Sequence, residues 1–300
     1  MKAQLFEIEH TTLYDYYAPV TVSYHLMRLT PRALSRQRRI THAIELDPAP
    51  ATLNRRVDYF GNDTTFATVD RTHRQLRATS RSRVAISPAF IPDASETPSW
   101  ENVRGLCRTD RTAPVLEAAE FTFASPAIPI AASFAQYAAP SFDRARPILE
   151  AVKDLTARIH HEFKFDPAAT TVSTPLDEVL ANRRGVCQDF AHLQIACLRA
   201  LGLPARYVSG YLETQPPPGK AKLVGSDASH AWISFFCPGI GWIDVDPTNN
   251  LFPSMQHITV GWGRDYGDVS PMRGVILGTG RHTLKVAVDV TSLGRDGASS

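Results

Sequence analysis

Residues 182–211 read NRRGVCQDFAHLQIACLRALGLPARYVSGY, and this stretch decides the fold of the second half of the chain. Apolar residues recur at three- and four-residue spacing from position 190 to position 201, which predicts a helix that begins at Cys187. Gly202 and Pro204 then give the stop signals that usually follow a helix. The run RYVSGYLE comes next and is rich in residues that favour strands, so the sequence predicts a helix followed directly by a strand.

A β-hairpin is predicted farther along the chain. The run HAWISFF begins at His230 and the run WIDV ends just before Asp246, and both have the aromatic and β-branched residues of strands. The CPGIG stretch at 237–241 reads as the turn between them, although a turn alone does not fix the register. An antiparallel pair places the start of the first strand beside the end of the second. We therefore expect His230 and Asp246 to be neighbours.

Cys187, His230 and Asp246 offer the three groups that thiol acyl transfer requires. A thiol is nucleophilic as its thiolate, and a helix N-terminus favours an anion through its unpaired N–H groups and its dipole. A histidine can take the thiol proton, and a carboxylate can orient the imidazole and stabilise the imidazolium. Asp244 is a second candidate for this carboxylate because it points to the same face of the strand. We prefer Asp246 because it lies at the strand end beside His230.

Four motifs in this region resemble the bacterial transglutaminase-like family, part of the papain-like thiol superfamily: GVCQDFAH, LRALGLPARYVSGY, DASHAW and GWIDVDPTNN. The resemblance continues into His257-Ile258 and into GRDYGDVSPMRGV at 263–275, and the β-rich start of the chain resembles the N-terminal region of that family. The resemblance implies an α+β fold. In that fold a papain-like or transglutaminase-like core, with the nucleophile helix packed on an antiparallel sheet, follows a small β-sandwich domain.

The resemblance also implies roles for the three groups: Cys187 is the nucleophile, His230 the general base and acid, and Asp246 the orienting carboxylate. It implies attack on an amide or thioester-like acyl group, and therefore a peptide or protein substrate with a reactive amide. It leaves the acceptor open between water, as in a cysteine protease or amidase, and an amine, as in a transglutaminase-type acyltransferase. We favour hydrolysis because water is the default acceptor in an open cleft. The alternative is a non-catalytic peptide-binding or assembly module that keeps the fold, and an intact triad argues against it.

Other side chains near this region have structural interpretations as well. Asp189 and His192 share a helix face. They could line the site or bind a metal, but the interpretation that we prefer is a local hydrogen-bonded pair that holds the helix. Cys197 lies on the apolar face in mid-helix and is expected in the core. We expect the Cys187 backbone N–H to be one oxyanion donor; Gln188 is a candidate for the second donor, whose identity stays open. Core packing is expected for four aromatic residues: Tyr207, Tyr211, Trp232 and Trp242.

The sequence predicts no metal and no organic cofactor. A zinc site built from Cys187, His192 and His230 is conceivable, but CxxC and HxxxH spacings are missing. For calcium, the sequence has neither an EF-hand loop nor a dense carboxylate cluster.

A length of 300 residues with 43% apolar residues allows one large globular domain or two modest ones. We predict a β-rich N-terminal domain at 1–88, a crossover or linker with short helices at 89–142, and a catalytic domain with C-terminal strands at 143–300. The Pro-rich loop at 213–229 joins the two strands that flank the site, and it either covers the cleft or is a passive connection.

Charge and targeting signals restrict the partners. The net charge is +2, and the excess of arginine between Arg28 and Arg83 is the pattern of a solvated sheet face, so we do not expect nucleic-acid binding. No apolar run is long enough to span a bilayer, and the N-terminus lacks the apolar core of a signal peptide. The four scattered cysteines do not suggest a disulfide framework. We therefore expect a cytoplasmic protein without a membrane partner, and its oligomeric state is left open.

Overall fold

The computed structural model describes residues 3–213, 228–278 and 281–295. These ranges have the α+β fold that the sequence predicts. The strands are β1 (Gln4–Val20), β2 (Val22–Met27), β3 (Gln37–Asp47), β4 (Thr52–Val57), β5 (Asp63–Val69), β6 (His73–Ile86), β7 (Lys164–Phe165), β8 (Arg184–Gly185), β9 (Ala205–Leu212), β10 (Ala228–Cys237), β11 (Gly241–Val245), β12 (His257–Gly263), β13 (Met272–Leu277) and β14 (His282–Arg295). The helices are α1 (Trp100–Thr109), α2 (Ala113–Ala119), α3 (Ala132–Ala138), α4 (Ile148–Glu162), α5 (Leu176–Asn182), α6 (Cys187–Ala200) and α7 (Tyr266–Val269). Over the described residues, none of these helices is long and apolar enough to cross a membrane.

A β-sandwich at the start of the chain confirms the expected N-terminal architecture. β1, β6 and β3 pair antiparallel in one sheet, and β2, β5 and β4 pair antiparallel in the other. An apolar cluster joins the two sheets, with Ile44 and Ala78 from the first and Met27 and Ala67 from the second. Residues two apart share a strand face, so each sheet can bury one face in this way.

The last two described strands extend this sandwich. β14 pairs antiparallel along β1, starting with Arg295 opposite Gln4, and β13 pairs with β2. The sequence predicts these strands within a catalytic domain at 143–300, whereas in the structure β13 and β14 complete the N-terminal sheets. The physical reason is that β1 and β2 would otherwise leave unpaired backbone groups at their edges.

A second antiparallel sheet, here called the central sheet, has the strand order β11-β10-β9-β12. β10 and β11 form the hairpin that the sequence predicts, with Cys237 opposite Gly241 at the turn. α6 packs on this sheet, and Leu193 and Cys197 of the helix share the main apolar core with Ile233 of β10. Cys197 is fully buried, as expected for a core residue.

Helices α1 to α3 occupy the stretch at 89–142 that the sequence predicts as a crossover or linker. Val103 of α1 and Phe134 of α3 are fully buried in the same core as α6. The segment is therefore a packed helical layer as well as a connection.

Arg199 joins this layer to the central sheet. It is 2% exposed, and its guanidinium donates hydrogen bonds to the carbonyls of Phe121 (2.9 Å), Ala205 (2.9 Å) and Arg264 (2.6 Å) and to Ser125 Oγ (3.2 Å). Burial lowers the pKa of Arg199 to about 10, so the side chain is still a cation at neutral pH. One charged group thus satisfies four backbone or hydroxyl oxygens of the helical layer and the central sheet.

The sandwich also holds the outer edge of β12. The Gln37 side chain donates to the Thr259 carbonyl (2.7 Å) and accepts from the Thr259 N–H (2.8 Å). Asn62 makes the equivalent pair with the backbone of Trp262, at 2.9 and 3.0 Å. Two side-chain amides thereby replace the neighbouring strand that an edge lacks, and they fix β12 beside β9.

Candidate active site

Cys187 is the first residue of α6, and its side chain is half-buried. Val186 before it is extended, so the chain enters the helix directly at the cysteine. The Val186 N–H donates to Asp189 Oδ2 at 2.8 Å, and the Thr170 hydroxyl donates to the same oxygen at 2.6 Å. Asp189 therefore holds the entry to the helix, and the thiol lies where first-turn N–H groups have no intrahelical partner.

Gly185 leaves the space that Asp189 occupies. A Cβ built on Gly185 lies 2.6 Å from Asp189 Oδ2, which is shorter than a van der Waals contact. We expect Gly185→Ala to lower the free energy of unfolding by about 1–3 kcal/mol through overpacking. We also expect slower alkylation of Cys187 by iodoacetamide, because the start of α6 must shift. Urea denaturation and peptide mass spectrometry measure the two effects.

Gly105 provides the matched control for this prediction. It lies in α1, and a Cβ built there has nothing within 4 Å. Gly105→Ala should raise stability by up to about 1 kcal/mol, as alanine does in helices, and leave Cys187 alkylation unchanged. Equal effects of the two substitutions would contradict the role given to Gly185.

His230 and Asp246 are hydrogen-bonded neighbours at the open end of the β10–β11 hairpin. His230 Nε2 lies 2.7 Å from Asp246 Oδ2, and the two side chains are 8% and 0% exposed. His230 lies opposite Gly210 in the pairing of β10 with β9, which fixes the backbone that carries the ring. This is the proximity that antiparallel pairing of the two strands predicts.

The environment of His230 favours its charged form. Burial lowers its pKa, but hydrogen bonds to Asp246 and Cys187, together with their negative charges, outweigh burial and raise the pKa to about 10. Since Nε2 faces Asp246, Nδ1 is the ring nitrogen left for the Cys187 thiol. The imidazole thus lies between a thiol and a carboxylate, with one nitrogen for each.

Asp246 is held by donors on both oxygens. Oδ2 accepts from Asn249 Nδ2 (2.8 Å) and from His257 (3.1 Å) in addition to His230. Oδ1 accepts the backbone N–H groups of Thr248 (2.9 Å) and Asn249 (3.2 Å). Burial raises the pKa of Asp246, but the hydrogen bonds from His230, His257 and Asn249 outweigh burial and hold the pKa well below its usual range.

Asp244, the second candidate for the carboxylate, has different partners. Its Oδ1 accepts a hydrogen bond from the Ser234 hydroxyl, and its Oδ2 lies 3.5 Å from Arg36 Nη2 of the sandwich. These contacts direct the carboxylate toward the sandwich, and Asp246 is the carboxylate that contacts His230.

Asp189 and His192 hold the helix through separate partners. Asp189 bonds to Val186 and Thr170, whereas His192 Nε2 accepts the backbone N–H of Tyr266 at 3.1 Å. Burial lowers the pKa of His192 to about 4, so the ring is neutral and can accept. Asp189 and His192 therefore hold α6 through separate partners, and not as the direct hydrogen-bonded pair that the sequence analysis prefers.

Within the described ranges, one group of side chains has the spacing of metal ligands: His230, Asp246 and His257. Its ligand atoms lie within 4.8 Å of one another, and its nitrogens already hydrogen-bond to Asp246 Oδ2. The set conceived from the sequence, Cys187 with His192 and His230, is not among such groups in the part of the chain that the structure covers.

Aromatic residues surround the two histidines. Trp232 is fully buried, with its ring 6.1 Å from the His230 ring and 5.2 Å from the His257 ring. Tyr207 and Tyr211 are buried as well, so core packing is confirmed for these three. Trp242 is half-buried and has the Arg206 guanidinium 4.2 Å above its ring.

A groove of about 660 Å³ opens beside the start of α6. Its lining includes Gln188 and Asp189 of α6 and, from the segment after β12, Asp265, Tyr266 and Arg273. Cys187, His230 and Asp246 are not among its lining residues, so the groove lies beside the candidate site. The predicted loop at 213–229, by contrast, lies almost entirely outside the described residues.

Two polar side chains at this site are not assigned from the sequence. Asn249 lies in the PTNN motif and His257 in the stretch that resembles the family, but neither spacing nor alternation indicates that they reach Asp246. A histidine in an otherwise apolar strand is the available signal, and core burial explains it equally well.

Comparisons with known proteins place this chain in a family. Residues 135–247 match the Transglutaminase-like superfamily, and residues 6–85 match the Bacterial transglutaminase-like N-terminal region. An uncharacterized protein of Mycobacterium tuberculosis is 43% identical over 295 residues, which cover 95% of this chain and 92% of that protein. Protein-glutamine gamma-glutamyltransferase of Pseudomonas aeruginosa is 36% identical over 106 residues, which cover 34% of this chain and 16% of that protein.

A crystal structure from Cytophaga hutchinsonii, provisionally classed as a cysteine protease, has the same fold. Its TM-score is 0.78 at 20% sequence identity, and the match covers 99% of this chain and 93% of that one. With the two matched regions and a relative similar over almost its full length, the chain belongs to the bacterial transglutaminase-like family of the Transglutaminase-like superfamily.

Proposed function

We propose that this protein is a thiol-dependent enzyme that transfers acyl groups from amide bonds through Cys187, His230 and Asp246. One observation carries the proposal: a buried His230–Asp246 pair at 2.7 Å, within reach of a cysteine at the N-terminus of α6. Each group has the partner that its role requires, because the carboxylate orients the ring and the ring can take the thiol proton.

Acylation follows from this order of contacts. Cys187 Sγ gives its proton to His230 Nδ1 and attacks the carbonyl carbon of the amide, which forms a C–S bond and an oxyanion. The C–N bond then breaks, and the imidazolium returns the proton to the leaving nitrogen. Asp246 stabilises the imidazolium through Nε2–H in both steps. The products are a thioester on Cys187 and a free amine.

The start of α6 supplies donors for the oxyanion. First-turn N–H groups lack intrahelical acceptors, and the helix dipole adds to their positive potential. Gln188 lines the groove next to Cys187 and is our candidate for the side-chain donor. Gln188→Ala is the variant that tests this assignment.

Water or an amine completes the cycle by attacking the thioester. His230 takes the acceptor proton and passes it to the departing sulfur. We propose hydrolysis of a peptide or protein amide as the principal outcome, since a groove open to solvent admits water. The match to a Pseudomonas aeruginosa protein-glutamine gamma-glutamyltransferase supports an amine acceptor as the second candidate. Adding a labelled primary amine to the reaction separates the two, because label enters the acyl product in transfer alone.

The first test measures alkylation of each cysteine by iodoacetamide as a function of pH. We expect Cys187 to react fast at about pH 6, well below the ordinary thiol pKa of about 8.5, because His230 can hold its proton. His230→Ala should slow this reaction by at least about tenfold, the factor for losing one charge-assisted interaction. Peptide mass spectrometry gives the rate for every cysteine.

Three cysteines of the same chain are internal references. Cys107 is half-buried like Cys187, and burial raises its pKa; burial also raises the pKa of Cys237 to about 11, and Cys197 is fully buried. All three should label slowly at about pH 6. A Cys187 that labels no faster than Cys107, or is unaffected by His230→Ala, would overturn the proposal and favour a non-catalytic peptide-binding module.

A further inference from the structure

His257 makes a direct contact with the carboxylate that orients His230. It lies at the start of β12, is 1% exposed, and has Nε2 3.1 Å from Asp246 Oδ2. The same oxygen is 2.7 Å from His230 Nε2 and 2.8 Å from Asn249 Nδ2. Two histidines thus share one carboxylate oxygen, and the second histidine has no part in the steps of acyl transfer described above.

The hydrogen bonds determine where the protons lie. An ionised carboxylate oxygen only accepts, so both histidines must present an Nε2–H to Asp246. In His230 this leaves Nδ1 for the proton exchanged with the Cys187 thiol. In His257 the buried Nδ1 has no hydrogen-bond partner in the described structure. A proton there would be an unpaired buried donor, so the contacts favour the tautomer of His257 with its proton on Nε2 alone.

Rigid elements hold this arrangement from both sides. β12 and β10 both pair with β9, so His257 and His230 come from strands that flank the same neighbour. The Trp232 ring is nearly parallel to His230, at 30°, and perpendicular to His257, at 88°. The sandwich fixes β12 itself through Gln37 on Thr259. Little rotation is left for either imidazole.

We propose that His257 is a positioning residue for the reaction: its Nε2–H holds Asp246 in place and keeps the carboxylate an acceptor toward His230. This inference rests on the proposed function of Cys187, His230 and Asp246. A neutral donor suits the task because it satisfies Asp246 Oδ2 without adding a second cation beside the imidazolium of His230. It also competes for the lone pairs of Oδ2, so the proton shared with His230 stays on the ring.

Two substitutions separate this role from simple core packing. His257→Leu removes the donor, whereas His257→Gln keeps an N–H donor at the position of Nε2. We expect His257→Leu to slow iodoacetamide alkylation of Cys187 at about pH 6 by about tenfold, the factor for one hydrogen bond to a charged group. His257→Gln should restore most of the wild-type rate. A packing role would give the two variants the same rate.

His10 is the matched control. It is another buried histidine, 1% exposed, and its Nδ1 hydrogen-bonds the Tyr211 hydroxyl at 3.0 Å, away from Asp246. His10→Leu should leave Cys187 alkylation unchanged. A Cys187 rate that His230→Ala lowers and His257→Leu leaves at the wild-type value would overturn the role of His257 alone. A rate that neither change affects would overturn the proposed function itself.

The wild-type protein gives a test that does not depend on the folding of a variant. NMR of protein with ¹⁵N-labelled histidine rings reports which nitrogen of each imidazole carries the proton, and His257→Gln identifies the resonance of residue 257. We expect His257 neutral and protonated on Nε2 at neutral pH. An Nδ1–H tautomer, or a doubly protonated ring, would contradict the proposal.

Discussion

Asp246→Asn is expected to slow acyl transfer by on the order of 10³–10⁴-fold, as loss of the carboxylate does in a catalytic triad. The amide can present an N–H to His230 Nε2, which then carries the lone pair and leaves the proton on Nδ1. A histidine in that tautomer cannot accept the proton of Cys187. Release of nitrophenol from p-nitrophenyl acetate, a general acyl donor, gives the rate of thioester formation.

The same substitution should lower the pKa of His230. In the native protein the carboxylate and the thiol hold this pKa at about 10, so the imidazolium is lost only as pH rises toward that value. Without the carboxylate, Cys187 alone opposes the effect of burial, so the imidazolium should be lost at a lower pH than in the native protein. NMR titration of the His230 ring measures the change.

Asp244→Asn is the control for Asp246, two residues away on the same hairpin. Asp244 contacts Ser234 and Arg36 and not His230, so its substitution should change neither the acylation rate nor the titration of His230. Similar losses in both variants would show that the hairpin charge, and not the contact with His230, controls the rate.

Arg199→Met is expected to lower the free energy of unfolding by about 3–5 kcal/mol, measured by urea denaturation. Methionine fills much of the volume but leaves the carbonyls of Phe121, Ala205 and Arg264 without their donor. Each buried carbonyl without a partner costs about 1–3 kcal/mol, and relaxation toward water recovers part of the sum.

Arg144→Met is the matched control, since Arg144 is exposed at the surface. Substitutions of this kind usually change stability by about 0.5 kcal/mol or less. A loss below about 1 kcal/mol for Arg199→Met would mean that water or neighbouring donors replace the guanidinium, and Arg199 would then be no anchor of the helical layer.

Local patterns suffice to predict α6 and the hairpin. The apolar spacing and the Gly202–Pro204 stop predict a helix from Cys187, and the structure has Cys187–Ala200. The turn at 237–241 predicts the antiparallel pair of β10 and β11. From these two elements alone, Cys187 is expected at a helix start, and His230 beside Asp246. Short-range rules apply here because each partner lies within one helix or one hairpin.

Local sequence patterns do not predict contacts between distant segments. His257 lies 11 residues from Asp246 on a different strand, and only the order β10-β9-β12 brings it to the carboxylate. From the sequence, Arg199 is an ordinary helical arginine. In the structure its guanidinium donates to the carbonyl of Phe121 and to that of Arg264, which follows β12. The sequence likewise indicates β13 and β14 as strands without indicating their partners.

The pairing of β14 with β1 has a consequence for how the protein is made. Gln4 and Arg295 are register partners although about 290 residues separate them. At about 5–20 residues per second, the stretch from β1 to β14 takes roughly 15–60 s to synthesise. During that time β1 has a free edge, and this sheet of the sandwich cannot be completed until β14 has been synthesised. Exposed charged side chains lie along this sheet, among them the ion pairs Arg81–Glu9 and Arg83–Glu7. Charged residues of this kind discourage aggregation at an unpaired strand edge such as that of β1.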